Sequence, residues 1–237
     1  MYIFLFLVNN FIKLKKFYIK EGAFMKINKS FILRFLILSI LLFAFVCVSA
    51  YSYSSTVLEN ISNNVFRLHV IANSDSDEDQ NLKYKVRDAL INYMDTLLSD
   101  TTSKEDAIKI ANEHLSDFYK IANEVIYNAG YNYPVSISID KCDFPTKTYG
   151  DVSLPAGTYD ALRVKIGKAE GHNWWCVMFP PLCFVDVTSG VVPDDSKALL
   201  KEDLGDEEYN LITANTNNNS DMSIKFKIVE FIQNIKK

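Results

Sequence analysis

The sequence predicts an α+β fold: a mostly antiparallel sheet with two long helices packed on one face and a C-terminal amphipathic helix. Three observations lead there. Stretches 65–73, 135–140, 159–166 and 174–179 either alternate apolar and polar residues or are apolar throughout, at strand length. Between the first and second of these, two longer stretches repeat apolar residues at steps of three and four. Short turns containing Gly or Pro join the later strands, which favours antiparallel pairing.

Each element has its own justification. Residues 65–73 set Phe66, Leu68, Val70 and Ala72 against Arg67, His69 and Ile71, and the partly apolar second face places this strand centrally. The acidic run at 74–79 starts a helix, where side-chain oxygens accept from unpaired backbone N–H groups and negative charge suits the helix dipole. Leu82, Val86, Leu90, Tyr93 and Leu97 form its inner face. Ser103 with Asp106 resembles a capping box, opening a second helix that Gly130 ends. Val135, Ile137 and Ile139 then alternate with Ser136, Ser138 and Asp140, and Leu162, Val164 and Ile166 with Arg163 and Lys165. Residues 147–154 make a weaker strand, and Pro180-Pro181 stops the apolar strand at 174–179. Residues 191–206 read as irregular, 215–221 as an Asn-rich loop and 223–237 as the closing helix.

With 49% hydrophobic residues in 237, the chain has enough apolar side chain for a sizeable core and too much for a disordered tail. Its net charge of −4 is unevenly spread. Residues 1–50 hold seven Lys/Arg and one acid; the rest hold 18 basic and 28 acidic residues, a charge of −10. So acidic a body argues against nucleic acid as a partner. Lys26, Lys29 and Arg34 precede an apolar run to Val48, and Val48-Ser49-Ala50 offers the small residues that signal peptidase requires. Residues 25–50 are therefore a signal peptide cleaved after Ala50, or an uncleaved anchor that keeps membrane contact. Either way the remainder is exported. Residues 51–64 read as a polar linker or short helix and 65–237 as a single domain. Residues 1–24 read as an extension from a mis-assigned start, because Lys20-Glu21-Gly22 back-translates to a purine-rich stretch just before the Met25 codon.

Chemistry-bearing residues are few. Cys176 and Cys183 flank the Pro-Pro bend and suit a disulfide, leaving Cys142 as the odd thiol; two buried free thiols or a Cys142–Cys176 pair are the alternatives. His172 and Cys176 would suit a Cys/His hydrolase acting on cell-envelope material, with His69 as a second candidate base. Yet four residues along a strand span about 13 Å, too far for direct contact. His69, His114, His172 and the cysteines match no closed zinc pattern, and 75–80 lacks the central Gly and distal Glu of an EF-hand. No catalytic residue, metal or cofactor is expected. Of Trp174 and Trp175, one ring is expected in the core and the other facing outward.

Residues 67–90 (RLHVIANSDSDEDQNLKYKVRDAL) and 157–186 (GTYDALRVKIGKAEGHNWWCVMFPPLCFVD) resemble the stage II sporulation protein R family, and the resemblance extends over about 25–237. It implies a secreted signal of endospore-forming Firmicutes. Such a signal is made in the forespore and exported into the space between forespore and mother-cell membranes. There it would activate a membrane-embedded sporulation aspartic protease that processes pro-sigma-E. The family brings no catalytic residues. A partner-binding surface is expected at His69, Asn73, Asp75 and Asp77 on the strand–helix junction, with His172, Asn173 and Trp174 on the later turn.

Overall fold

The computed structural model of the chain describes residues 29–99, 101–182 and 192–213. The chain divides into two compact units, Met1–Ala50 and Tyr51–Lys237. Helix α1 spans Lys29–Asn63, so residues 51–63 are helical, the second of the two readings of that stretch. Its first part exposes Phe31, Leu38, Phe45 and Val48, and among the described residues it is the one helix long and apolar enough to cross a membrane. Near its end Val57 and Ile61, one turn apart, are buried in the second unit.

That unit is built on a four-stranded sheet in the order β2-β5-β1-β6, comprising β1 (Phe66–Ile71), β2 (Val135–Phe144), β5 (Gly157–Ile166) and β6 (Asn173–Phe179). Pairs β2–β5 and β1–β6 are antiparallel, while β1–β5 is parallel. The class is α+β as expected, but the short 167–172 turn does not join neighbouring strands. Instead β1 lies between β5 and β6, and the turn passes over its end. All six residues of β1 are buried, and burial along both edges outweighs the local closure that a short turn favours.

One face of the sheet packs against α2 (Asp77–Leu98), α3 (Lys104–Glu113) and α4 (Leu115–Asn128). Phe66, Leu68 and Val70 meet Leu82, Val86, Leu90 and Phe118 there. The Ser76 and Ser103 hydroxyls accept from the N–H groups of Asp79 and Asp106, both at 3.2 Å, capping α2 and α3. The expected second long helix is broken at His114, whose φ of −104° and ψ of 14° leave the helical region. Its Nδ1 lies 2.8 Å from Asp117 and 2.9 Å from the Tyr93 hydroxyl. Gly130, at φ 85°, ends α4; the N–H groups of Gly130 and Tyr131 return to the carbonyls of Tyr127 and Ile126.

The opposite face carries Arg67, His69 and Ile71. Where one weak strand was expected, β3 (Lys147–Tyr149) and β4 (Val152–Leu154) form a hairpin turning at Gly150. The stretch expected to be irregular holds α5 (Asp194–Thr213), which buries Leu200, Leu204 and Ile212 and is kinked at Gly205. Leu200 and Leu204 are one turn apart, a spacing hidden among seven acidic residues. Expectations for 1–24, the 215–221 loop and the 223–237 helix lie outside the described residues. If α5 packs as a core helix, Leu200→Ala should lower the unfolding free energy by about 2–5 kcal/mol. Urea denaturation of the full chain in detergent would measure this, and an irregular surface segment would give a change within about 0.5 kcal/mol.

Candidate functional site

Because the 167–172 turn crosses the end of β1, it meets the β1–α2 junction, and the two segments are bonded together. The N–H groups of Glu170 and Gly171 donate to the carbonyls of Asn73 and Ala72 at 3.2 and 3.0 Å. Asn73 works in both directions: Oδ1 accepts from the Lys168 N–H at 2.9 Å, and Nδ2 donates to Asp79 at 2.7 Å. Asp75 accepts from the His172 N–H at 2.6 Å and lies 2.5 Å from its Nδ1. From below, Lys83, which is 1% exposed, donates to the His172 carbonyl at 3.0 Å and to Gln80. A Cβ on Gly171 would collide with the Ser74 carbonyl, so the approach of the two backbones requires glycine there.

Asp79 anchors this junction. Burial pushes its carboxyl up, but hydrogen bonds from Ser74, Asn73 and Tyr133 outweigh that and hold it below the usual carboxylate range. Lys83 is shifted the other way: burial, reinforced by Arg87 and only partly opposed by Asp75, lowers its pKa.

The residues expected from sequence divide into two groups. Asn73, Asp75 and His172 are joined as described, with the His172 side chain 76% exposed, and Asp77 and Asn173 are exposed nearby. His69 is not on the surface: it is buried in β1, stacked on Trp175 at 3.8 Å, with Nε2 2.8 Å from the Asn173 Oδ1. Burial keeps its pKa low, opposed by the Asn173 bond, so the ring is neutral at neutral pH. Trp174 is half-buried on the helical side, beneath Arg87 at 4.3 Å and edge-on to Tyr84. Both tryptophans are thus half-buried, on opposite faces, where one core ring and one outward ring were expected. These two corrections share a cause: β1 is buried on both sides, so alternation does not separate core from surface around it.

Arg67, a charge near the junction that reads from sequence as solvated, is placed elsewhere. It is fully buried beside His69, donating to the Tyr149 hydroxyl at 2.5 Å and the Cys176 carbonyl at 3.4 Å. Its guanidinium lies 4.0 Å over Phe144 and 4.8 Å from the Tyr159 ring. No carboxylate among the described residues pairs with it, and Nη1 has no partner. Aromatic faces replace the usual counter-ion. The arginine's position on the alternating polar side of β1 gave no hint of this, because its covering residues come from elsewhere in the chain.

The cysteines offer little reactivity. Cys176 is disulfide-bonded, so it supplies no thiolate for the hydrolase alternative; Cys183, its expected partner, lies outside the described residues. Cys142 is a free thiol, pushed up to about 12 by burial and by Asp140. Among the described residues no group of three His, Cys, Asp or Glu side chains could hold a metal ion.

Two substitutions test this construction. Asp79→Asn should destabilise the chain by about 1–3 kcal/mol at pH 7, by leaving buried donors mispaired. A lowered carboxyl pKa contributes stability above the unfolded value of about 3.9, and that contribution is lost as pH falls through the folded value. The gap from the unsubstituted chain should therefore narrow as the pH falls below the unfolded value, as thermal melts at pH 7 and pH 3 would show. Arg67→Lys should cost about 2 kcal/mol or more, because an ammonium reproduces neither the planar stack nor the fork; equal melting temperatures would contradict it.

Comparison with known proteins follows the same region. The family model described as stage II sporulation protein R matches residues 62–189, which include all six strands and the junction. The stage II sporulation protein R of Bacillus subtilis (strain 168) is 44% identical over 130 residues, 55% of this chain. The match spans 58% of that relative's length, and no solved structure matches the chain significantly. The matched segment is narrower than the 25–237 read from the sequence, but it covers more than half of the chain. The chain belongs to the stage II sporulation protein R family.

Proposed function

We propose that the chain is an exported signal of endospore formation that activates a membrane-embedded aspartic protease, which then processes pro-sigma-E. Family membership carries this reading, and two features support it. An apolar helix able to serve as a signal sequence or anchor precedes the folded body. The body itself supplies rigid recognition elements: its most exposed polar groups near the junction, Asp75, Asp77, His172 and Asn173, sit on backbone pinned by Asn73, Asp79 and Lys83. The chain works in the space between forespore and mother-cell membranes and transforms no substrate.

Activation by binding requires differential affinity. The signal must hold the active protease arrangement more tightly than the resting one, with about 1.4 kcal/mol for each tenfold shift. Prepaid rigidity at the junction favours that, since little conformational freedom remains to be lost on docking.

The test is reconstitution. Co-expressed with the protease and pro-sigma-E in a non-sporulating host, the full chain should yield processed sigma-E. Deleting residues 1–50 should abolish it while the body still accumulates inside the cell. Asp75→Ala with His172→Ala should lower processing about tenfold at unchanged export, the size expected for a contact at the interface. Full processing by the leaderless form would contradict the reading.

A further inference from the structure

The strand register leaves half of one sheet face open. On the side opposite the helices, β2 presents Ser136, Ser138 and Asp140, and β5 presents Arg163 and Lys165. His69 and Trp175 lie in the same row as Arg163, and Asn173 in the row of Lys165. The half of this face around Arg67 is covered by Tyr159, Phe144 and the second core. The other half keeps solvent access: Ser136, Asp140 and Asn173 are exposed, and Ser138, Arg163, Lys165 and Trp175 are half-buried.

We propose that this open half-face seats an extended acidic segment of the partner protein, one carboxylate on Arg163, with the half-buried Trp175 ring, backed by His69, as an apolar wall. The inference rests on the signalling reading above and adds the chemistry of the contact.

Charge selects this occupant. Within a body of charge −10, two cations stand side by side here with one acid. That acid, Asp140, is loosely engaged, 3.8 Å from an Arg163 nitrogen, and already accepts from Ser138 at 2.7 Å and from the Cys142 thiol. Arg163 keeps 32% of its side chain exposed, and its pairing with Asp140 is the loose one. Behind the Trp175 ring, the buried His69 stacks at 3.8 Å and holds it in place. A planar guanidinium with donors to spare suits a carboxylate, and alternate side chains of an extended peptide could rest on the flat aromatic stack. The chain's own residues 214–237 are a poor fit, because they carry four lysines against two acids.

The test compares two double charge reversals in the reconstituted system with the full chain: Arg163→Glu with Lys165→Glu, and, as control, Lys109→Glu with Lys120→Glu on exposed helix surface. The half-face pair should lower processing about tenfold at unchanged export, and the control pair less than about twofold. Equal effects of the two pairs would overturn the inference and leave the signalling reading standing. Separately, the full chain in detergent micelles is titrated with two fluorescein-labelled peptides, Ser-Val-Glu-Val-Glu-Val-Ser and its Lys-for-Glu counterpart. The Glu peptide should bind about fivefold or more tighter, and the half-face pair should lose that preference. Equal binding of both peptides, or a preference that survives the reversal, would overturn the site. If the unsubstituted chain drives no processing, the signalling reading fails, and the peptide titration alone decides the half-face.

Discussion

Phe66 to Ile71 has no open edge, and all six of its residues are buried. β5 and β6 hydrogen-bond its two edges, the helices cover Phe66, Leu68 and Val70, and a second core covers Arg67. Such a strand allows little change of register, since a slip of one residue would push Arg67 into the helical core and Leu68 into the aromatic box. Its placement also forces the β5–β6 connection across its end. The contacts among Asn73, Asp75, Asp79, Lys83 and His172 follow from that crossing.

What could be read in advance was local. The two serine caps, the Gly130 stop and the alternation that sends Ser136, Ser138, Arg163 and Lys165 to one face all depend on residues a few positions apart. What could not be read depended on distant chain. Arg67 looks solvent-facing until Tyr149 and Tyr159, some 80 to 90 positions on, close over it. The insertion of β1 between β5 and β6 is a choice among long-range pairings, with no trace in the turn itself. α5 was hidden by its charge: the acids that favour its first turn also make the segment resemble a loop.

The candidate site shows the same division. The sequence pointed to two segments, and the fold brings them together, but it reverses the roles of two members. His69 and Trp174 brace the region from within, while Asp75, Asp77, His172 and Asn173 remain at the surface. These surface groups are thus carried on backbone fixed from two directions, the rigidity on which the proposed signalling role would draw.

The sheet also separates the sulfur chemistry. Cys176, already oxidised, belongs to the core on the helical side, whereas the Cys142 thiol belongs to the core on the other. Exchange needs a thiolate in line with a sulfur–sulfur bond, and here the would-be attacker is protonated and stands behind a wall of backbone. An unpaired cysteine is ordinarily a liability in an oxidising environment. Attack by Cys142 would require the sheet to open first, so the bridge at Cys176 is protected from it by the same architecture that holds Arg67.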